Sequence, residues 1–114
     1  MIKPSIRILF GAASSLGPGK IALLESISRM GSISGAAREM GMSYRRAWLL
    51  VEAMNSAFTQ PVVSAVTGGK RGGGAAVTSF GLTLLTRYRE IEAKAAAAVA
   101  GDLKSLAQLL AQRE

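Results

Sequence analysis

The chain lacks cysteine and histidine altogether among its 114 residues. Without cysteine there are no disulfides and no thiol chemistry, and without either residue the usual zinc sites are excluded. The commonest general base is missing as well. We therefore expect a protein that is not an enzyme, and the cysteine-free composition fits a cytoplasmic one.

Acidic residues are also scarce, with 7 against 14 lysines and arginines, for a formal net charge of +7. No acid occurs from Ala53 to Arg89, a stretch that contains Lys70, Arg71, Arg87 and Arg89. A clustered excess of one sign indicates a partner of the other sign. Nucleic acid is the commonest such partner for a basic domain, although an anionic membrane surface fits the charge balance too.

Long apolar runs are missing, because Gly, Ser, Thr, Asn or Pro interrupts each candidate. We therefore expect no membrane span. The run from Ile8 to Ala13 is short for the core of a signal peptide. In that region Ile6, Ile8 and Phe10 alternate with other residues, which predicts a half-buried strand.

Glycines and capping residues divide the next region into three helices. Pro18 suits the first position of a helix, and Gly31 and Gly41 suit helix ends. The predicted helices run from Pro18 to Gly31, from a cap at Ser32 or Ser34 to Gly41, and from a cap at Ser43 through about Tyr44 to Phe58. Alanines at 36, 37 and 47 allow the last two helices to cross closely. This pattern predicts a trihelical helix-turn-helix core.

The third of these helices has two distinct faces. Its predicted core positions are Ala47, Leu50, Val51 and Met54, and its predicted outer positions are Tyr44, Arg45, Arg46 and Leu49. The helix dipole slightly disfavours cations at an N-terminus, so two adjacent arginines there suggest a phosphate or base partner. A merely solvated face is the alternative. For Trp48 the spacing favours packing, with a phosphate contact through its indole N–H as the alternative.

A glycine-rich hairpin is expected beyond Pro61. Two short strands, Val62 to Val66 and Ala75 to Thr78, flank a cationic loop from Thr67 to Gly74. Lys70 and Arg71 at its tip could enter a minor groove or neutralise phosphates, as in a wing. A ligand-free flexible hairpin and an anion cradle are alternatives. The candidate DNA-binding residues are thus Ser34, Ser43, Tyr44, Arg45, Arg46, Lys70 and Arg71.

A long final helix is predicted from Ser79, capped by Thr78, with a break or kink at Gly101 and Asp102. Its apolar stripe exceeds what so small a domain can cover, which predicts a homodimer. The candidate dimerisation residues are Leu85, Tyr88, Ile91, Leu103, Leu106 and Leu110. We expect a winged helix-turn-helix domain over 1–78 and a helical dimerisation segment over 79–114, so that the fold is mainly α with a small β-hairpin wing.

Two rival classes of function stay open. One is a protein-interaction module whose basic face only keeps it soluble. The other is a nucleotide-binding enzyme that uses Gly68 to Gly74. The segment Gly17 to Lys20 is not a P-loop, because position 14 is Ser and Ile21 replaces the Ser or Thr that would hold magnesium.

Four parts of the sequence carry a resemblance: Gly31 to Trp48, Glu52 to Asn55, Ala65 to Thr78, and Gly81. Together they resemble the N-terminal DNA-binding domain of the ModE molybdate-responsive regulators and, more distantly, the LysR-type winged helix. The resemblance extends from about Ile6 to Ile91. It implies a dimeric, cytoplasmic bacterial transcription regulator that binds double-stranded DNA. The helix from Ser43 would lie in the major groove, with a wing at Lys70 and Arg71.

The resemblance has a limit. Family members continue into two molybdate-binding domains, whereas this chain stops at Glu114. We therefore expect no cofactor in this chain. A constitutive regulator, one controlled by a separate effector-sensing partner, and a single-domain relative that still serves molybdenum genes are all consistent with the residues.

Overall fold

The computed structural model of the chain describes residues 2–11, 14–69 and 72–111. Its elements are β1 (Ile8–Leu9), β2 (Ser15–Leu16), α1 (Pro18–Met30), α2 (Ile33–Met40), α3 (Tyr44–Ala57), β3 (Val63–Gly69), β4 (Gly72–Val77), α4 (Ser79–Ala98) and α5 (Ala100–Ala107). The strands form two antiparallel hairpins, β1–β2 and β3–β4. This confirms the mainly α fold with a small β-hairpin. Within the described ranges, no helix is long and apolar enough to cross a membrane.

The boundaries of α1, α2 and α3 follow the predicted signals. Gly31 and Gly41 adopt positive φ angles of 74° and 70°, which other residues rarely reach, and so end α1 and α2. The Ser32 hydroxyl accepts a hydrogen bond from the Gly35 amide at 2.9 Å, so Ser32 rather than Ser34 caps α2. Ser43 caps α3 in the same way, through the Arg46 amide at 3.1 Å.

One apolar core joins these three helices to the second hairpin. It contains Leu23, Leu24, Ile27, Ala36, Ala37, Ala47, Val51, Met54, Val62, Val63 and Ala75. Met30, the last residue of α1, is 45% exposed and lies outside this core. The burial of Ser26 was not expected from the sequence.

A polar link between α1 and α2 explains the burial of Ser26. Its hydroxyl donates to Glu39, which also accepts from Arg29. The bond from Ser26, followed by the one from Arg29, holds the pKa of the Glu39 carboxyl below its ordinary value. The two helices are therefore tied at their exposed edge as well as through the core.

The second hairpin is longer than predicted. Val63 pairs with Val77, Ala65 with Ala75, and Gly69 with Gly72, with a register irregularity between Val66 and Gly69. Ladder hydrogen bonds need only the backbone, so the glycines predicted as loop extend the strands instead. Lys70 and Arg71, the predicted wing tip, lie outside the described residues.

Tyr88 belongs to the interior of the monomer. It is 1% exposed and packs with Leu16 and Ile21 in a second apolar cluster. Its hydroxyl donates to the Ile6 carbonyl at 2.6 Å, and burial raises the pKa of this phenol. The prediction of Tyr88 as a dimerisation residue is therefore wrong, because the N-terminal segment covers its side chain.

The C-terminal helices extend away from the core. The break falls at Val99, between α4 and α5, and not at Gly101 and Asp102, which lie inside α5. No residue of α5 is buried. The described part of the chain measures 55 × 34 × 24 Å, with a radius of gyration of 16.9 Å. A compact chain of this length has about 13 Å, so the molecule is elongated.

Candidate nucleic-acid interface

The first turn of α3 forms an exposed cationic surface. Tyr44 is 54% exposed, and Arg45 and Arg46 are exposed beside it. The described residues include three ion pairs, and neither arginine takes part in any of them. Both guanidinium groups therefore keep hydrogen-bond donors available for an acceptor on another molecule. A planar guanidinium group can donate two parallel hydrogen bonds, a geometry that suits phosphates and the edge of guanine.

An apolar strip lies next to these arginines. Ser43, Arg45, Arg46, Leu49 and Leu50 line one shallow groove, in which Leu49 is 47% exposed. Such a mixture of donors and exposed methyl groups suits base edges, which offer acceptors and the thymine methyl group. The predicted outward orientation of Arg45, Arg46 and Leu49 is confirmed.

The base of the second hairpin meets the start of α3. Ser34 and Tyr44 line one groove of about 240 Å³ together with Gly74 and Ala75 of β4. The Ala75 amide donates to the Gly31 carbonyl at 3.0 Å, which fixes β4 against the α1–α2 corner. The fold thus brings Ser34, Tyr44 and the strands leading to the predicted wing tip onto one side of the molecule.

Trp48 is neither fully packed nor free. It lies in the groove between α3 and β3, lined also by Glu52, Ser64 and Ala65, and remains 41% exposed. The packing favoured from the sequence is therefore only partial. No described hydrogen bond uses its indole N–H.

Asn55 is a positioning residue whose role the sequence reasoning missed. Its amide oxygen accepts from the backbone amides of Val62 and Val63 at 2.8 and 3.2 Å, and its amide nitrogen donates to the Val63 carbonyl at 3.1 Å. The last turn of α3 is thereby clamped to the start of β3. An asparagine near the end of a helix and a few residues before a strand could have indicated this role from the sequence, because its side-chain amide can bond to nearby backbone groups.

Arg89 does not belong to a cationic binding surface, although its charge counted toward the cluster in the sequence. Its guanidinium pairs with Glu25 of α1 at 2.8 Å and with Glu92 at 2.7 Å. These carboxylates raise its pKa further above the ordinary value. Arg89 therefore docks α4 onto α1.

The candidate dimerisation residues fall into different environments. Leu85 is half-buried and packs against both apolar clusters. Leu103 is also half-buried, whereas Ile91, Leu106 and Leu110 are 44%, 48% and 52% exposed. With Tyr88 excluded, three of the candidate residues remain exposed: one on α4, one on α5 and one just beyond α5.

Comparison with known proteins shows which proteins this chain is related to. The molybdenum-pterin-binding protein MopB of Rhodobacter capsulatus is 46% identical over 99 residues, which cover 87% of this chain and 37% of MopB. The DNA-binding transcriptional dual regulator ModE of Escherichia coli K12 is 42% identical over 71 residues, 62% of this chain and 27% of that protein. Over the aligned residues, the chain is a homologue of ModE-family proteins.

The ModE relationship concerns one part of larger proteins, since the chain spans about a third of the length of MopB. Among solved structures, the full-length LysR-type regulator LysG of Corynebacterium glutamicum with bound effector Arg has a TM-score of 0.53 at 25% identity. That match covers 77% of this chain and 29% of LysG. It supports the winged helix-turn-helix architecture. No family model matches the chain. The two ModE-family relatives are named as a molybdenum-pterin-binding protein and a regulator, not as enzymes.

Proposed function

We propose that this chain binds double-stranded DNA in a sequence-specific manner and acts in transcription regulation connected with molybdenum. The observation that carries the proposal is the exposed first turn of α3, where Arg45 and Arg46 are absent from every described ion pair. The E. coli relative, named as a DNA-binding regulator, supports it. The helix from Ser43 would enter the major groove, with Tyr44, Arg45 and Arg46 facing base edges.

The proposed mechanism separates affinity from selectivity. Clustered cations release counterions from the duplex, which gives a sequence-independent and salt-dependent contribution to binding. Hydrogen bonds from the α3 arginines to base edges would add the preference for one sequence. Ser43, already the cap of α3, and Ser34 beside the hairpin base would contact phosphates. Control could come from a separate effector-sensing partner.

Removing charges from the wing gives the first test of whether affinity and selectivity have separate sources. Lys70→Gln/Arg71→Gln should weaken binding to all duplexes about equally and make the dependence of log affinity on log salt less steep by about two. Fluorescence anisotropy across a salt series measures both quantities. Lys94→Gln/Lys104→Gln, which removes two charges from α4 and α5, is the matched control. An unchanged slope in the wing variant would show that the wing does not touch DNA.

A homodimer through the C-terminal helices is part of the proposal. An eight-residue helix such as α5 is not stable by itself in water. Leu106 of α5, Leu110 just beyond α5 and Ile91 of α4 are exposed apolar side chains that a second copy would cover. Two-fold protein symmetry also matches two DNA half-sites.

Sedimentation equilibrium tests the dimer. The chain should sediment as a dimer, and Leu106→Asp/Leu110→Asp should shift it to monomer, because two carboxylates cannot be buried unpaired in an apolar interface. Leu9→Asp changes an exposed leucine on the N-terminal hairpin and should leave the dimer intact. A monomeric wild-type chain at all concentrations would contradict the proposal.

A further inference from the structure

A second cationic groove lies beside the candidate interface. It has a volume of about 200 Å³, and three of its lining residues are Arg7, Lys20 and Arg46, which come from the N-terminal hairpin region, α1 and α3. Of the described residues that line it, none is acidic. Three positive charges from separate elements therefore face one concave surface with no carboxylate to neutralise them.

The local fold holds these cations in place. The pairing of Ile8 with Leu16 puts Arg7 next to the start of α1, and its Cγ lies 3.5 Å from the position that a β-carbon on Gly17 would occupy. The Lys20 ammonium donates to the Ser15 carbonyl at 2.9 Å. The N-terminal hairpin and α1 therefore hold the side chains of Arg7 and Lys20 at this groove.

The groove is continuous with the α3 surface. Arg46 and Leu50 line both this groove and the shallower one that contains Ser43, Arg45 and Leu49. A duplex in contact with the first turn of α3 carries closely spaced phosphates, about one charge per 1.7 Å of axis. Its sugar–phosphate backbone is the polyanion that such a continuous cationic surface complements.

We propose that Arg7 and Lys20 extend the DNA interface and bind backbone phosphates of the same duplex whose bases α3 reads. This inference rests on the proposed function and adds the N-terminal hairpin and the start of α1 to the contact surface. Because phosphates are the same in every sequence, these two residues contribute affinity and register but no base preference. The segment Gly17 to Lys20 would then serve a DNA phosphate and not a nucleotide.

Charge removal at the groove is the first experiment. Arg7→Gln/Lys20→Gln is compared with the two-charge control Lys94→Gln/Lys104→Gln, using preferred and random duplexes over a salt series. The groove variant should lose affinity by a similar factor on both duplexes, and its salt slope should become less steep by about two. A slope change no larger than that of the control would overturn the proposal. Thermal melting checks that both variants fold.

Neutral phosphates give a second measurement, and its main result comes from the wild-type chain alone. A set of preferred duplexes, each with one methylphosphonate, is bound to the wild-type chain. Affinity should fall at backbone positions flanking the bases read by α3, and Arg7→Gln/Lys20→Gln should show no further loss at those positions. If no flanking position matters to the wild-type chain, the groove does not bind the backbone.

The base-reading and backbone-binding proposals fail separately. If Arg45→Ala/Arg46→Ala loses base preference while the groove variant binds like its control, the proposed function stands and the extension is wrong. If the wild-type chain binds no duplex at all, both are wrong.

Discussion

Arg45→Ala/Arg46→Ala should lose most of the chain's preference for one DNA sequence while keeping part of its affinity for any duplex. Each arginine that forms two hydrogen bonds to guanine is worth roughly 1 to 3 kcal/mol of discrimination, or a factor of about 5 to 150. The side chains are exposed, so their removal leaves no cavity in the core. We therefore expect the free energy of unfolding to stay nearly constant.

The measurement is a ratio of affinities. Binding to a preferred duplex and to a random duplex of equal length is compared for the wild-type chain and for the double variant at one salt concentration. The ratio should fall by at least about tenfold. Arg38→Ala removes an exposed arginine from the last turn of α2 and serves as the single-charge control. Equal losses on both duplexes would refute a base-reading role for α3.

Gly81→Ala should destabilise the fold strongly, because the backbone of the second hairpin leaves no room for a methyl group. A β-carbon at Gly81 would overlap the Val62 carbonyl oxygen and lie 2.6 Å from Val77 Cγ1. The carbonyl oxygen is backbone and cannot rotate aside, so α4 or the hairpin must shift. Overpacking of this kind costs about 3 kcal/mol, which corresponds to roughly 10 to 20 °C in Tm.

Gly101→Ala is the matched control for that substitution. It adds the same methyl group within α5, where nothing lies within 4 Å of the new carbon. Alanine is favoured over glycine in a helix by about 0.5 to 1 kcal/mol, so Tm should stay constant or rise slightly. Thermal unfolding followed by circular dichroism measures both variants. Equal melting temperatures would show that α4 is not packed against Val62 as described.

The sequence predicts the helix-turn-helix unit well because its boundaries depend on neighbouring residues. A cap such as Ser43 bonds to an amide three positions away, and Gly41 ends α2 through its own backbone angle. Capping and turn preferences are local, and they can be recognised without knowing the rest of the fold. The outward orientation of Arg45 follows from helical periodicity in the same way.

The features that could not be predicted from the sequence depend on distant partners. Tyr88 lies on an apolar stripe that suggested a dimer interface, but its hydroxyl bonds to a carbonyl 82 positions away. Arg89 looked like a surface cation, yet it pairs with Glu25, 64 positions away. Periodicity shows which side of a helix is apolar and not what covers it. For the same reason Arg7 and Lys20 could not be assigned to the α3 surface from the sequence.

The central claim is that the first half of α3 lies against a groove of duplex DNA, and targeted backbone cleavage tests it most directly. Since the chain has no cysteine, Glu52→Cys and, as a control, Ser105→Cys each provide one site for an iron chelate that generates hydroxyl radicals. Position 52 lies on the exposed surface of α3, and position 105 lies on α5. On a duplex selected by the wild-type chain, the label at position 52 should cut both strands within a few base pairs, and the label at 105 should not. Absence of cleavage from position 52, or the same cuts from both positions, would contradict the claim.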